Sequence, residues 1–219
     1  MGLSELLTTY GPNYLTALLT TWRITAVSFV LVMALSILIT VLRVCPFKPL
    51  RVFGDFYVQV FRNIPGAVLI LIVVYALPHL KLVLDYEPSV VLCTVLLGAS
   101  FGSENFMTGI NTIGVGQIEA ARSIGLSFTR ILRHVVIPQA LRSTVLPMTN
   151  LFIAVMLTTA LGSQVPMTPQ ELTGLVSYIN TRESAGVVTF ALSACGYIGT
   201  ALVAGFVGNK IDQKVRVMR

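Results

Sequence analysis

Charge is what this chain has least of. Asp, Glu, Lys and Arg make up 11% of its 219 residues, against about 25% in a soluble globular domain. So few charges cannot clothe a water-facing surface. The apolar share of 55% and mean hydropathy of +0.83 place the chain in the membrane class. The net charge of +6 would suit nucleic acid, but the basic residues cluster between apolar runs. That pattern fits the positive bias of cytoplasmic membrane loops better, and no nucleic-acid partner is expected.

Cysteine and histidine are equally sparse. Cys45, Cys93 and Cys195 stand far apart, in or beside apolar runs. Such spacing gives neither a metal site nor a disulfide framework, and the three read as small buried apolar residues. The two histidines, His79 and His134, have no Ser or Cys partner in a recognisable pattern. No His/Cys/Asp/Glu cluster has metal-ligand spacing. A G-x-x-x-x-G-K-[ST] loop is missing too, so nucleotide phosphates have no cradle of that kind. The expectation is a chain with no catalytic residue, no metal and no cofactor of its own. Residues 1–20 hold no Lys or Arg, so no cleaved signal is expected. They read as a short amphipathic segment, a break at Gly11-Pro12, and a lead-in to the first membrane segment. Internal repeats are lacking, and a single domain over 1–219 is the economical reading.

What the chain does have is long apolar runs. A membrane-spanning helix needs about 20 mainly apolar residues. Ile24–Leu42 is uncharged and closed by Arg43. Ile64–Leu80 is weaker, interrupted by Pro65-Gly66 and Pro78-His79. Pro88–Phe106 carries one ionisable group, Glu104, near its end; Ser143–Gly162 contains Pro147; Ala185–Gly208 is uncharged. The expected fold is therefore an all-α integral membrane protein of about five transmembrane helices. One side receives Arg43, Lys48, Arg51, Arg62, Arg122, Arg130, Arg133, Arg142, Lys210, Lys214, Arg216 and Arg219, twelve of the fifteen basic residues. By the positive-inside rule that side is the cytoplasm, with the N-terminus outside and the C-terminus inside. Gly196, Thr200, Ala204 and Gly208 form a small-residue ridge on the fifth span, for close helix packing within the bundle or against another subunit.

Two features carry function. Glu104 is an ionisable residue inside a span, which by default marks a functional site; its position near the cytoplasmic end equally allows a structural role, bonded to Ser103 and Asn105. The second is a polar interval between spans three and four, 116–138 and its basic flank to Arg142. Helix formers run from Gln117 to Ile124 with Glu119 in the first turn, where the helix dipole favours an acid. Gly125 stands where a left-handed cap would end that helix. Ser127 is placed to cap a second short helix through about His134, and Pro138 to open a third that becomes span four. Ala120, Ala121, Ile124 and Leu126 are expected to share one face of this hairpin.

Glu119-Ala120-Ala121, three residues, Gly125, nine further residues, then Val135-Val136-Ile137-Pro138 resemble the EAA motif of ATP-binding-cassette importer permeases. The flanks GQIEAARSIG and PQALR are similar to the polar amino-acid subfamily, as are Tyr57, the run Phe61-Arg62-Asn63-Ile64-Pro65, and Glu171-Leu172. The resemblance implies that the hairpin docks on a separate ATPase subunit through Glu119, Ala120, Ala121, Gly125 and Pro138. It also implies a second permease subunit, identical or homologous, an extracytoplasmic solute-binding protein, ATP-Mg bound by the partner ATPase, and a place in the bacterial cytoplasmic membrane. The substrate implied is a polar amino acid of the glutamate or glutamine type, with Arg62, Asn63, Ser103, Glu104, Thr158 and Thr159 as substrate-pathway candidates. The chain departs from the subfamily in three places. The lysine-containing element late in span four is Met156-Leu157-Thr158-Thr159-Ala160-Leu161, no arginine follows Glu104 closely, and Ile64 stands where threonine is common. Competing readings are a permease for another small solute such as an osmoprotectant amine, a stand-alone secondary transporter, and a membrane scaffold.

Overall fold

The computed structural model describes residues 2–183 and 186–215. Arg216, Arg219 and the expected start of span five at Ala185 lie outside the described residues. Among the described residues four helices are long and apolar enough to cross a membrane: Leu3–Val44, Tyr86–Asn111, Val145–Gln164 and Gly186–Val215. A fifth crossing is a pair, Lys48–Asn63 and Gly66–Leu80, bent by 99°.

Helix α1 (Leu3–Val44) has 42 residues, about 63 Å at 1.5 Å per residue and roughly twice a bilayer's hydrocarbon thickness. The expected break at Gly11-Pro12 does not occur, and Pro12 lies inside the helix. A proline disfavours helical backbone before it by pressing on the preceding Cβ, and Gly11 has none. The turns on either side are also held, since Leu6, Tyr14 and Ala17 pack on Leu172, Leu175 and Ile179. Further along, α1 buries Thr21, Thr25, Ser28, Ser36 and Thr40. The hydroxyls of Thr21, Thr25 and Thr40 donate to carbonyls one turn back, so this face is both small and largely satisfied. Helix α4 (Tyr86–Asn111) settles closely on it: a Cβ at Gly98 would stand 2.7 Å from Val32, and one at Gly102 would collide with Ser36. In lipid such close crossings hold helices together, because burial from hydrocarbon gives no hydrophobic drive.

The interval 43–63, which the sequence marks by its positive charge and by the family-like Tyr57 and Phe61-Arg62-Asn63 but not as a helix, holds helix α2 (Lys48–Asn63). It presses Gly54 and Val58 inward, and the Tyr57 hydroxyl donates to the Leu96 carbonyl at 2.8 Å. Ile64 and Pro65 are extended, as a residue before proline prefers, and make an elbow into α3 (Gly66–Leu80), which widens through a π turn at Ile72–Ala76 and tightens at Leu77–Leu80. At its foot Leu69, Ile70 and Val73 share a core with Ile24, Cys93, Leu97 and Met167.

The hairpin follows α4. Helix α5 (Val115–Ser123) ends at Gly125, whose φ of +78° is the left-handed cap that the sequence predicts. Helix α6 opens at Phe128–Ile131 with Ser127 in the capping position, although no side-chain cap bond forms. It does not stop at Pro138. A π turn at Leu132–Val136 leads straight into Ile137–Ser143; the wider turn accommodates a ring that has no N–H and crowds the carbonyl four residues back. The shared face is also corrected. Ala121 is buried with Ile113, Ile131, Val136 and Ala140, and Leu126 packs against them, whereas Ala120 and Ile124 point outward.

Helix α7 (Val145–Gln164) is the fourth crossing. Helix α8 (Leu172–Asn180) buries Leu172, Leu175, Val176 and Ile179, covering the first turns of α1. Helix α9 (Gly186–Val215) is the fifth crossing. Its small-residue ridge packs inside the molecule: Gly196 meets Leu172, Gly208 meets Thr149, and Thr200 accepts from the Trp22 indole at 2.9 Å. Of the cysteines only Cys93 is buried; Cys45 is half-buried and Cys195 exposed, on a helix whose outward Phe190, Ile198, Leu202 and Phe206 make an apolar face suited to hydrocarbon.

Candidate functional site

A cavity of about 660 Å³ opens where the α2–α3 elbow, the middle of α4, the end of α7 and the start of α8 converge. The elbow contributes Phe61, Arg62, Ile64 and Gly66, and α4 contributes Leu97, Gly98 and Phe101. Glycine at 66 and 98 keeps the wall thin: a Cβ at Gly66 would stand 3.2 Å from Leu97. The polar lining is Arg62, Thr158, Ser163, Gln164 and Thr173.

The sequence candidates separate into three groups. Arg62 and Thr158 line the cavity. Asn63 sits exposed on the elbow with its amide donating to the Gln59 carbonyl at 2.6 Å. Ser103, Glu104 and Thr159 are not on the wall; Thr159 is buried and donates to the Met156 carbonyl at 2.7 Å.

Glu104 belongs to an ionic junction between three helices. Arg43, with its side chain 11% exposed, holds Glu104 Oε1 at 2.8 Å and Asp55 Oδ1 at 2.9 Å. It also donates to the Ser103 hydroxyl at 3.1 Å. Arg62 approaches the same Glu104 oxygen at 3.6 Å, with its guanidinium 5.5 Å from the Phe101 ring centre. The cation that the family pattern supplies just after this glutamate comes here from α1 and α2. Asn105, expected as a partner of Glu104, instead donates to the Pro147 carbonyl at 3.2 Å.

A second polar cluster backs the opposite wall. Glu171 is fully buried and caps α8, accepting from the backbone N–H of Thr173 at 2.7 Å and of Gly174 at 2.5 Å. The Tyr197 hydroxyl donates to the same carboxylate at 2.8 Å and lies 3.0 Å from the Thr173 hydroxyl. Burial pushes the Glu171 carboxyl above its ordinary value, against the pull of these donors. The sequence marked Glu171 only by family likeness; a carboxylate two and three residues before Thr173 and Gly174 is the signal of a helix cap.

The hairpin offers a different kind of surface. Glu119, Ala120, Gly125 and Pro138 are exposed while Ala121 is buried. Beside them stand Ile124, 77% exposed although the sequence placed it on one face with Ala121, and Val115, 69% exposed, which the sequence reading did not single out. The Gln139 amide donates to Gln117 Oε1 at 2.7 Å and ties α6 back to α5. Apolar side chains so exposed at a polar end of the bundle mark a contact surface.

Residues 33–217 match the family described as "Binding-protein-dependent transport system inner membrane component". The glutamate transport system permease protein GluC of Corynebacterium efficiens is 32% identical over 99% of this chain and all of its own length. The protein of the same name from Corynebacterium glutamicum is 30% identical over the same shares. The L-cystine transport system permease protein TcyB of Bacillus subtilis is 32% identical over 65% of this chain and 61% of its own. Among solved structures, an amino acid ABC transporter crystallised with histidines has a chain that superposes with a TM-score of 0.89 at 20% identity, covering 98% of this chain and 99% of that one. The inward-facing methionine transporter MetNI gives 0.73, also at 20% identity, over 99% and 100%.

Proposed function

Because the chain belongs to the family of binding-protein-dependent transport system inner membrane components, we propose that it is the permease of an ATP-driven importer of a polar amino acid of the glutamate or glutamine type. Its place is the bacterial cytoplasmic membrane, with the hairpin on the cytoplasmic side. A separate ATPase binds ATP-Mg and grips the hairpin; a second permease subunit completes the pathway; an extracytoplasmic binding protein delivers substrate.

The observation that carries this reading is the hairpin. Its Gly125 corner holds α5 and α6 at a fixed angle through the buried Ala121, while Glu119, Ala120 and Ile124 stay free of the rest of the chain for a partner. Glu119 meets a basic group there and Ala120 permits close approach. Closure of the ATPases then moves the hairpin, and α6 passes the movement to α7 through Ser143 and Thr144.

The amino-acid substrate is supported by the cavity and by the names of the relatives. A quaternary-amine cage needs several converging aromatic rings, and among the described residues only Phe61 and Phe101 line this wall. The test is co-purification: an ATPase subunit should accompany the chain from the membrane and be lost when residues 119–125 are replaced. Retention of the ATPase by that replacement variant would overturn the docking assignment.

A further inference from the structure

Away from the cavity, two hollows join into one groove between the last turns of α1, the end of α4 and the hairpin. The inner hollow, about 70 Å³, is walled by Ile37, Val41, Phe106 and Leu141. The outer one, about 200 Å³, is walled by Ile118, Arg122, Leu126 and Phe128. Val44, Ile110 and Leu132 belong to both, which makes the groove continuous. Ile37, Val41 and Leu141 are also exposed. They stand where span one ends and where α6 re-enters the bilayer, so the inner hollow opens toward hydrocarbon.

Polarity changes along the groove. Among the described residues Thr40 is the inner hollow's one polar side chain, and it donates to the Ser36 carbonyl at 2.7 Å. Arg122 is the one charged side chain of the whole groove, at its hairpin end, and no carboxylate lines either hollow. Among the described residues the Arg122 guanidinium makes no ion pair and no hydrogen bond, so its five N–H donors are free for an arriving anion. Glu119 and Ala120, which the docking reading gives to the ATPase, do not line the groove. An acidic side chain of a water-soluble partner would suit Arg122 but would leave the trough behind it, down to Ile37, unfilled.

We propose that this groove is a binding site for one anionic phospholipid of the leaflet on the hairpin side. The phosphate sits on Arg122, and an acyl chain runs along Val44, Ile110 and Leu132 toward Ile37. One cation at the membrane surface and an apolar path into the bilayer match the two ends of such a molecule, and basic pockets of this kind hold anionic headgroups. A zwitterionic lipid is disfavoured, because its own ammonium group competes with Arg122 for the phosphate. The site needs only the fold. Its consequence rests on the import reading: the lipid fills the gap between the hairpin and α1, so that movement of the hairpin reaches span one.

The test is native mass spectrometry of the full-length protein, purified with whatever subunits accompany it and titrated with dioleoylphosphatidylglycerol or dioleoylphosphatidylcholine. The wild type should hold one phosphatidylglycerol per chain at least about tenfold more tightly than phosphatidylcholine, the order that one charge-assisted contact supplies. Arg122→Gln should bring the two within about threefold. Arg130→Gln, which removes an exposed hairpin arginine that does not line the groove, should keep the wild-type preference. Ile110→Trp, which fills the trough, should weaken both lipids. Excess inorganic phosphate should displace neither. A monodisperse elution profile checks folding of each variant. The site falls if Arg122→Gln keeps the preference, if Arg130→Gln abolishes it equally, or if inorganic phosphate displaces the lipid. It also falls if Arg122→Gln sheds the ATPase with lipid retention unchanged, for Arg122 is then a subunit contact. In nanodiscs, substrate-stimulated ATP hydrolysis should be several-fold higher with phosphatidylglycerol than with phosphatidylcholine alone for the wild type, but not for Arg122→Gln. Equal stimulation of the wild type in both would remove the role in coupling while the binding result stands.

Discussion

Single residues in this protein do their work where helices from distant parts of the sequence meet. Arg43 and Glu104 are 61 residues apart, and nothing local in the chain pairs them. The sequence could mark Glu104 as a costly charge but not find its partner, because the family pattern looks for an arginine next along the same helix. Glu104→Gln leaves Arg43 with Asp55 and Ser103, so the protein should still accumulate in the membrane while substrate uptake falls several-fold. Full uptake by this variant would remove Glu104 from the pathway. Glu171 predicts differently. Glu171→Ala strips acceptors from two backbone N–H groups and a phenol, each unsatisfied donor costing about 1–3 kcal/mol, and should lower the melting temperature of the purified protein clearly. Glu171→Gln keeps an acceptor oxygen and should lower it less. The two also differ in pH response. Since the folded carboxyl titrates above its ordinary 4.5, Glu171 contributes stability that is complete below that value and is lost as pH rises through the folded one. Melting temperature measured from pH 4.5 to 8 should therefore fall less for Glu171→Gln than for the wild type.

Among the elements, the hairpin was the most legible and α2 the least. Gly125 declares itself because a helix ending in glycine is a local event, written in adjacent residues. Its φ of +78° with open space around the missing Cβ means that a side chain there is opposed by backbone conformation and not by crowding. Gly125→Val should cost roughly 1–2 kcal/mol at the corner, turn α5 against α6, and abolish the stimulation of ATP hydrolysis by substrate while leaving the chain in the membrane. An ATPase assay on the reconstituted importer reads this out, and normal stimulation would refute the coupling role. Helix α2 escaped notice for a physical reason: its length is sixteen residues, and Lys48, Arg51, Asp55 and Arg62 break its apolar run below what spans a bilayer. Its fold comes from tertiary contacts at Gly54 and Val58. The same cause explains Pro12, where packing of Leu6, Tyr14 and Ala17 on α8 overrides the break that local chemistry suggests.

For the whole molecule, the crossings are legible because lipid is a demanding solvent: each must satisfy its backbone internally and show hydrocarbon an apolar face. The packing between crossings is not, since Gly98 on Val32 and Gly102 on Ser36 depend on register that no single run records. What ties the fold to a direction is the charge distribution. The junction of Arg43, Asp55, Arg62 and Glu104 sits at the hairpin end of α1 and α4, whereas Arg23, midway along α1, and Glu87, in the first turn of α4, meet 2.6 Å apart at the opposite end of α4. Ten of the thirteen basic residues among those described lie with the first group, the excess that the positive-inside rule assigns to the cytoplasm. If the hairpin faces the cytoplasm, a cysteine at the exposed Ile124 should react with a membrane-impermeant maleimide only after the cell is opened. One at the exposed Lys81, in the turn between α3 and α4, should react in the intact cell. The native cysteines are replaced first, starting with the exposed Cys195. The reverse labelling pattern would place Ile124 outside, beyond the reach of any cytoplasmic ATPase, and the coupling role of the hairpin would have to be abandoned together with the orientation.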